Sequence, residues 1–161
     1  MITEISELLH ATKEASREVL KIFEAHNFKI FKKQDQSPVT TADLLSEQIL
    51  TGALKDLYPG DLIISEEGNP ELLETKARKA KGFWLVDPLD GTKEFIAGRQ
   101  EFAINIAYIE HQKPVLGIMA DPCRNIIYCA KKGQGCWKIE NKNWSKINTC
   151  PPAHADKLKI L

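Results

Sequence analysis

The sequence predicts an α+β fold: two N-terminal helices packed on a mostly antiparallel sheet. Two observations carry this. Apolar residues recur with helical spacing in two stretches before residue 58, and after it they come in short runs separated by tight turns. Two long helices followed by a mostly antiparallel sheet is an α+β arrangement.

In the first stretch, residues 3–26, Ile5, Leu8, Leu9, Thr12, Ala15, Val19, Ile22 and Phe23 share a stripe. Residues 28–31 suit a short strand, and 32–38 a polar loop closed by Ser-Pro. The second helix spans 41–57, with Ala42, Leu45, Ile49, Ala53 and Leu57 in register, Thr40 or Thr41 as N-cap, and Tyr58-Pro59-Gly60 as its stop. Strands are expected at 62–64, 83–86, 102–109, 115–119, 126–130 and 136–139, with a short charged helix at 70–80. In 102–109 neither alternating set is polar, so both sheet faces call for cover and the two helices supply only one. An uncovered apolar face favours association, so a homo-oligomer, or a missing C-terminal half, is the expected partner.

At 161 residues and 43% apolar composition the chain has material for one folded core. Basic and acidic residues balance at 22 each. Up to residue 121 acid dominates, 20 to 14; beyond it base dominates, 8 to 2. With no net charge and no basic-aromatic motif, nucleic-acid binding is not expected. No transmembrane run and no signal peptide are read, and the four cysteines lack zinc-site spacing. A cytoplasmic protein with reduced thiols is therefore expected.

The chemistry lies in acidic residues at the ends of apolar runs: Asp43, the pair Glu66-Glu67, and Asp87 and Asp90 in Asp87-Pro88-Leu89-Asp90-Gly91-Thr92. Strand ends place side chains with little freedom, and carboxylates placed so suit Mg²⁺. Proline stiffens the segment, so both aspartates and the carbonyl between them can turn to one ion. Gly91 allows close approach of backbone to a ligand, and Thr92-Lys93-Glu94-Phe95 can open a helical turn whose N–H groups attract an anion. Taken singly, Asp-Pro is a common turn, Glu-Glu a solvated pair and Asp43 a helix N-terminal carboxylate. Together, metal carboxylates beside an anion-binding turn describe a phosphate-ester site.

The segments Ser37-Pro38-Val39-Thr40-Thr41-Ala42-Asp43, Ser65-Glu66-Glu67 and Trp84-Leu85-Val86-Asp87-Pro88-Leu89-Asp90-Gly91-Thr92-Lys93-Glu94-Phe95 resemble, in order and spacing, the inositol monophosphatase superfamily. The last of them looks most like its CysQ branch, the 3′(2′),5′-bisphosphate nucleotidases. The resemblance implies the N-terminal half of an αβαβα sugar-phosphatase fold. It also implies a Mg²⁺-dependent phosphomonoesterase acting on phosphorylated small molecules such as 3′-phosphoadenosine 5′-phosphate, with inositol monophosphatase activity or an inactive lobe as alternatives. By the same resemblance Glu66, Asp87 and the Leu89 carbonyl hold one metal, and Asp87 and Asp90 share a second. Thr92, hydrogen-bonded to Asp43, then helps activate water, the Gly91 and Thr92 N–H groups hold phosphate, and Glu67 stands behind the metal ligands. Glu66 and Asp87 thereby count with Gly91 and Thr92 as substrate-binding, and Glu66 with Asp43 and Thr92 as catalytic. The family carries a Trp-Asp motif in a second domain, whereas Trp84, Trp137 and Trp144 here precede Leu, Lys and Ser. The expected organisation is thus a metal-binding domain over 1–156, with 157–161 as the start of a truncated or missing C-terminal domain.

Overall fold

The computed structural model describes residues 5–33, 35–68 and 75–148. Cys150 and the expected boundary at 157 fall outside them, as do residues 70–74 of the expected charged helix, of which 75–77 are helical.

Helix α1 (Ser6–Ala25) and helix α2 (Thr41–Leu57) form where the spacing places them. On α1 the buried residues are those of the expected stripe, Leu8, Leu9, Thr12, Ala15, Val19 and Phe23, with Ala11 and Ser16 added. The buried face of α2 differs from the sequence reading. It runs through Ala42, Asp43, Ser46, Leu50 and Leu54 rather than Leu45, Ile49, Ala53 and Leu57. Two polar side chains turn inward at its N-terminal end because partners await them there: Ser46 Oγ donates to Pro88 O at 2.7 Å, and Asp43 is fully hydrogen-bonded as described below. A periodicity count of apolar residues alone misses such a face.

Between the helices, β1 (Ile30–Lys32) and β2 (Pro38–Thr40) form a small antiparallel hairpin, so the expected loop shrinks to 33–37. The main sheet has seven strands in sequence order: β3 (Leu62–Ser65), β4 (Gly82–Asp90), β5 (Ala103–Glu110), β6 (Lys113–Asp121), β7 (Ile126–Lys131), β8 (Gly135–Glu140) and β9 (Asn143–Ile147). Only β3 and β4 run parallel; the rest form an antiparallel meander. Strand β9 was not expected, since Asn-Trp-Ser-Lys-Ile lacks alternation, and an exposed edge strand has no need of it.

Alternation along the strands sends Trp84, Val86, Ile104, Ile106, Ile118 and Cys129 into the core beneath the helices. The opposite face carries a cross-strand row of Leu85, Ala107, Gly117 and Ala130, next to Asp87, Asn105, Met119 and Tyr128. Leu85 remains 43% exposed there and Met119 42%. The expectation that the helices cover only one face thus holds. Cys123, Cys129 and Cys136 are free thiols. No described helix is long and apolar enough to cross a membrane.

One more element bears on the site. Helix α3 (Thr92–Ile96) follows directly on β4 and is pinned by Phe95, 1% exposed, whose ring lies 5.3 Å from Phe23, 5.1 Å from Phe28 and 5.1 Å from Phe102. Such aromatic clusters combine area burial with favourable edge contacts. Phe95→Ala should therefore destabilise the fold by about 3–5 kcal/mol, measured by denaturant unfolding, and loosen the 90–92 turn with it. A loss below about 1 kcal/mol would mean that the cluster does not anchor the turn.

Candidate active site

Strand β4 extends past the expected end at Val86 and carries both aspartates within its own span. Two residues three apart on a regular strand point to opposite faces. Here the register slips between Asp87, opposite Asn105, and Asp90, opposite Ala103. β4 thus spends three residues where β5 spends two, and the bulge returns Asp90 to the face that Asp87 occupies. Pro88, which has no N–H to give to a ladder, sits inside the bulge. Parallel pairing of Ser65 with Val86, and the bond from Glu66 N to Val86 O at 3.0 Å, bring Glu66 level with Asp87. The backbone positions that carry the three expected carboxylates therefore meet at one corner of the open face.

Their mutual effect is visible at Asp87. Its carboxyl is pushed up to about 7, first by burial and then by the charges of Glu66 and Asp90, with the Leu89 N–H pulling the other way. Its Oδ1 is shut off from solvent and, among the described residues, has no hydrogen-bond partner. A buried carboxylate oxygen without a donor is costly unless some cation or proton completes it. Asp90 is exposed, with Asn105 Nδ2 at 3.5 Å from its Oδ2.

A folded-state pKa raised above that of the unfolded chain means that the folded state holds the extra proton. Stability without metal should fall as pH rises from about 4 to about 7, the interval between the ordinary aspartate value and the shifted one. Asp87→Asn should flatten that fall. Melting temperatures across this range in a chelator-containing buffer provide the check, and identical slopes in the two proteins would count against the assignment.

Glu66 and Glu67 share one cation. Lys33 Nζ lies 2.9 Å from Glu66 Oε1 and 2.8 Å from Glu67 Oε1. Burial works against the lysine's charge, but the two carboxylates more than offset it and push Lys33 up to about 12. Glu67, with a side chain only 5% exposed, is raised by burial against the lowering effect of Lys33, whereas the Glu66 side chain is 54% exposed. With Glu66 held toward Lys33, no group of three or more histidine, cysteine, aspartate or glutamate side chains among the described residues is placed to hold a metal ion.

On the other side of the turn stands a hydrogen-bonded chain. Asp43 is fully buried; its Oδ2 accepts from Thr40 N at 2.8 Å and from Thr40 Oγ1, closing a capping box at the start of α2. Its Oδ1 accepts from Thr92 Oγ1 at 2.9 Å. The Leu89 carbonyl lies 3.1 Å from the same hydroxyl. A hydroxyl has one proton, and the charged acceptor Asp43 is the stronger claimant. Gly91 links the two halves of the site in a left-handed conformation, φ +89°, and a Cβ there would come within 2.6 Å of Glu101 O. Only glycine fits.

Of the residues singled out from the sequence, Asp87, Leu89, Asp90, Gly91 and Thr92 follow one another along β4 and the turn after it, Glu66 lies beside Asp87, Glu67 pairs with Lys33, and Asp43 bonds Thr92. Sequence reasoning missed Lys33, Ser46 and Asn105. Lys33 was hidden in a polar loop, Ser46 lay off the expected helical stripe, and Asn105 was one polar position in an apolar strand.

The model of the inositol monophosphatase family matches residues 2–158. The 3′(2′),5′-bisphosphate nucleotidase CysQ of Escherichia coli K12 is 36% identical over 137 residues, covering 84% of this chain and 54% of that protein. The CysQ of Haemophilus influenzae is 38% identical over 115 residues, 71% of this chain and 42% of that protein. Among solved structures, CysQ from Bacteroides thetaiotaomicron superposes with a TM-score of 0.71 at 32% identity, over 86% of this chain and 49% of that one. The suhB protein of Bartonella henselae gives 0.72 at 27% identity, over 83% and 51%. The chain spans about half the length of the relatives it matches. The carboxylate corner therefore sits in a fold with known kin, and the chain belongs to the inositol monophosphatase family.

Proposed function

We propose that this chain supplies the carboxylate lobe of a Mg²⁺-dependent phosphomonoesterase acting on 3′(2′),5′-bisphosphate nucleotides such as 3′-phosphoadenosine 5′-phosphate. The observation that carries the metal reading is the buried, unpartnered Oδ1 of Asp87 between Glu66 and Asp90. An all-oxygen set of hard donors fits Mg²⁺ rather than a soft metal. The nucleotide reading is drawn from the likeness to the CysQ proteins.

In this reading Glu66, Asp87, Asp90 and the Leu89 carbonyl hold the metal. Mg²⁺ bound there would neutralise phosphoryl charge and make water at the site more acidic. Glu66 can leave Lys33, since its partner stays paired with Glu67. Thr92 gives its proton to Asp43, so its remaining lone pairs can accept a hydrogen bond from the attacking water and aim it at phosphorus. The Gly91 and Thr92 N–H groups face the phosphate. The open sheet face, with Leu85 and Met119, receives either a second copy of the chain or the part of its relatives' length that this chain does not span. A cytoplasmic setting suits the free thiols.

A binding-only lobe is the second reading, favoured by the Lys33 pairing of both glutamates and the absence of such a group of three among the described residues. Phosphate release with Mg²⁺ decides between the two. The nucleotidase reading expects release from 3′-phosphoadenosine 5′-phosphate with kcat/KM well above that for inositol 1-phosphate. The reverse order overturns the substrate, and no release from either supports the binding-only lobe.

A further inference from the structure

Asn105 lies in mid-strand on β5, between buried Ile104 and Ile106 and flanked by β4 and β6. Asparagine is a poor strand former, and a residue that breaks a local rule in an otherwise consistent strand marks a requirement other than folding. Its position says what that requirement is. The ladder sets it directly opposite Asp87, and its Nδ2 stands 3.5 Å from Asp90 Oδ2. Because the bulge returns Asp90 to this face, one side chain neighbours both aspartates of the Asp-Pro-Leu-Asp segment.

The chemistry of the corner explains why the residue is an amide. Asp87 and Asp90 repel one another, and Glu66 adds to the repulsion. A carboxylate that is to share an ion needs one oxygen held from behind while the other faces forward. A lysine or arginine in that place would cancel the charge that attracts the ion, and a further carboxylate would deepen the repulsion. An amide N–H donates without charge. At 3.5 Å it steers Asp90 rather than clamping it.

We propose that Asn105 is a positioning residue, whose side-chain amide orients Asp90 so that Asp90 and Asp87 can share a cation. The inference rests on the metal reading given above and adds a residue to it. It acts through Asp90 and touches neither the ion nor the phosphate.

Calorimetric Mg²⁺ titration of the full chain tests it with three variants. Asn105→Leu keeps the approximate size and suits a strand, so its melting temperature without metal should match or exceed that of wild type. Its Mg²⁺ affinity should nevertheless fall by about tenfold, the lower end of the loss usual when a partner behind a metal ligand is removed. Asn105→Asp should melt lower than wild type without Mg²⁺ and recover when the ion is added. A metal-free readout comes from the Asn105 side-chain amide in a ¹⁵N–¹H spectrum, assigned by its disappearance in Asn105→Leu. Asp90→Ala should shift it. Wild-type affinity in Asn105→Leu, or an amide signal unmoved by Asp90→Ala, overturns the inference and leaves the metal reading standing. No Mg²⁺ uptake by wild type overturns both.

Discussion

Asp87→Asn should abolish both the Mg²⁺-dependent rise in melting temperature and any Mg²⁺-dependent phosphate release. Asp87 is the residue expected to serve both ions, and its Oδ1 is the buried oxygen that nothing described completes. An amide has the same shape but neither the charge nor two equivalent oxygens. Without it, Glu66 and Asp90 lack the carboxylate that joins them. Stabilisation by mass action reaches about 2.7 kcal/mol at a hundredfold excess over Kd, enough for a clear melting shift in wild type. The contribution of an ion to stabilising the phosphoryl transition state is on the order of several kcal/mol, so turnover should fall steeply. Without Mg²⁺, above pH 7, the variant should be more stable than wild type, because a neutral side chain escapes the burial and repulsion that raise the Asp87 pKa. This opposite sign separates loss of a site from loss of the fold. A wild-type Mg²⁺ shift in Asp87→Asn would remove Asp87 from the metal site.

Thr92→Ala should lower turnover by about 10²- to 10⁴-fold, the usual range for a group that positions or accepts a proton in the reacting step. Mg²⁺ affinity should change little, because the hydroxyl points at Asp43 and not into the carboxylate corner. The variant leaves Asp43 Oδ1 buried with one donor fewer, at a cost of about 1–3 kcal/mol in stability. Thr92→Ser keeps the hydroxyl and should restore most of both losses. Full turnover in Thr92→Ala would remove Thr92 and Asp43 from the chemistry, and the Thr40–Asp43–Thr92 chain would then be a helix cap and nothing more.

Much of this corner was legible in the sequence because its parts are local. Asp87, Asp90, Gly91 and Thr92 lie within six consecutive residues, and helix α1 follows a regular period. What escaped depends on pairing. The bulge at Pro88 exists only in the register of β4 against β5, so the sequence, in which Pro88 lets both aspartates turn to one ion, does not show the strand irregularity that sets them on one side. Asp and Pro read as strand breakers, which is why β4 was expected to stop at Val86 although it continues to Asp90. The face of α2 was misplaced because Asp43 and Ser46 are buried for their hydrogen bonds, not for their hydrophobicity. Lys33 and Asn105 reach the site from thirty-three and fifteen residues away in sequence from Glu66 and Asp90, a distance that only the hairpin and the sheet close.

The most direct measurement is a calorimetric Mg²⁺ titration of the wild-type chain near pH 7, repeated in two buffers of different ionisation heat. Near that pH the Asp87 carboxyl is partly protonated, and an ion binding between Glu66, Asp87 and Asp90 must displace that proton. Saturable binding with net proton release, fading as pH is raised, is the predicted result. No saturable heat, or binding that exchanges no proton at pH 7, would contradict a Mg²⁺ site at this corner.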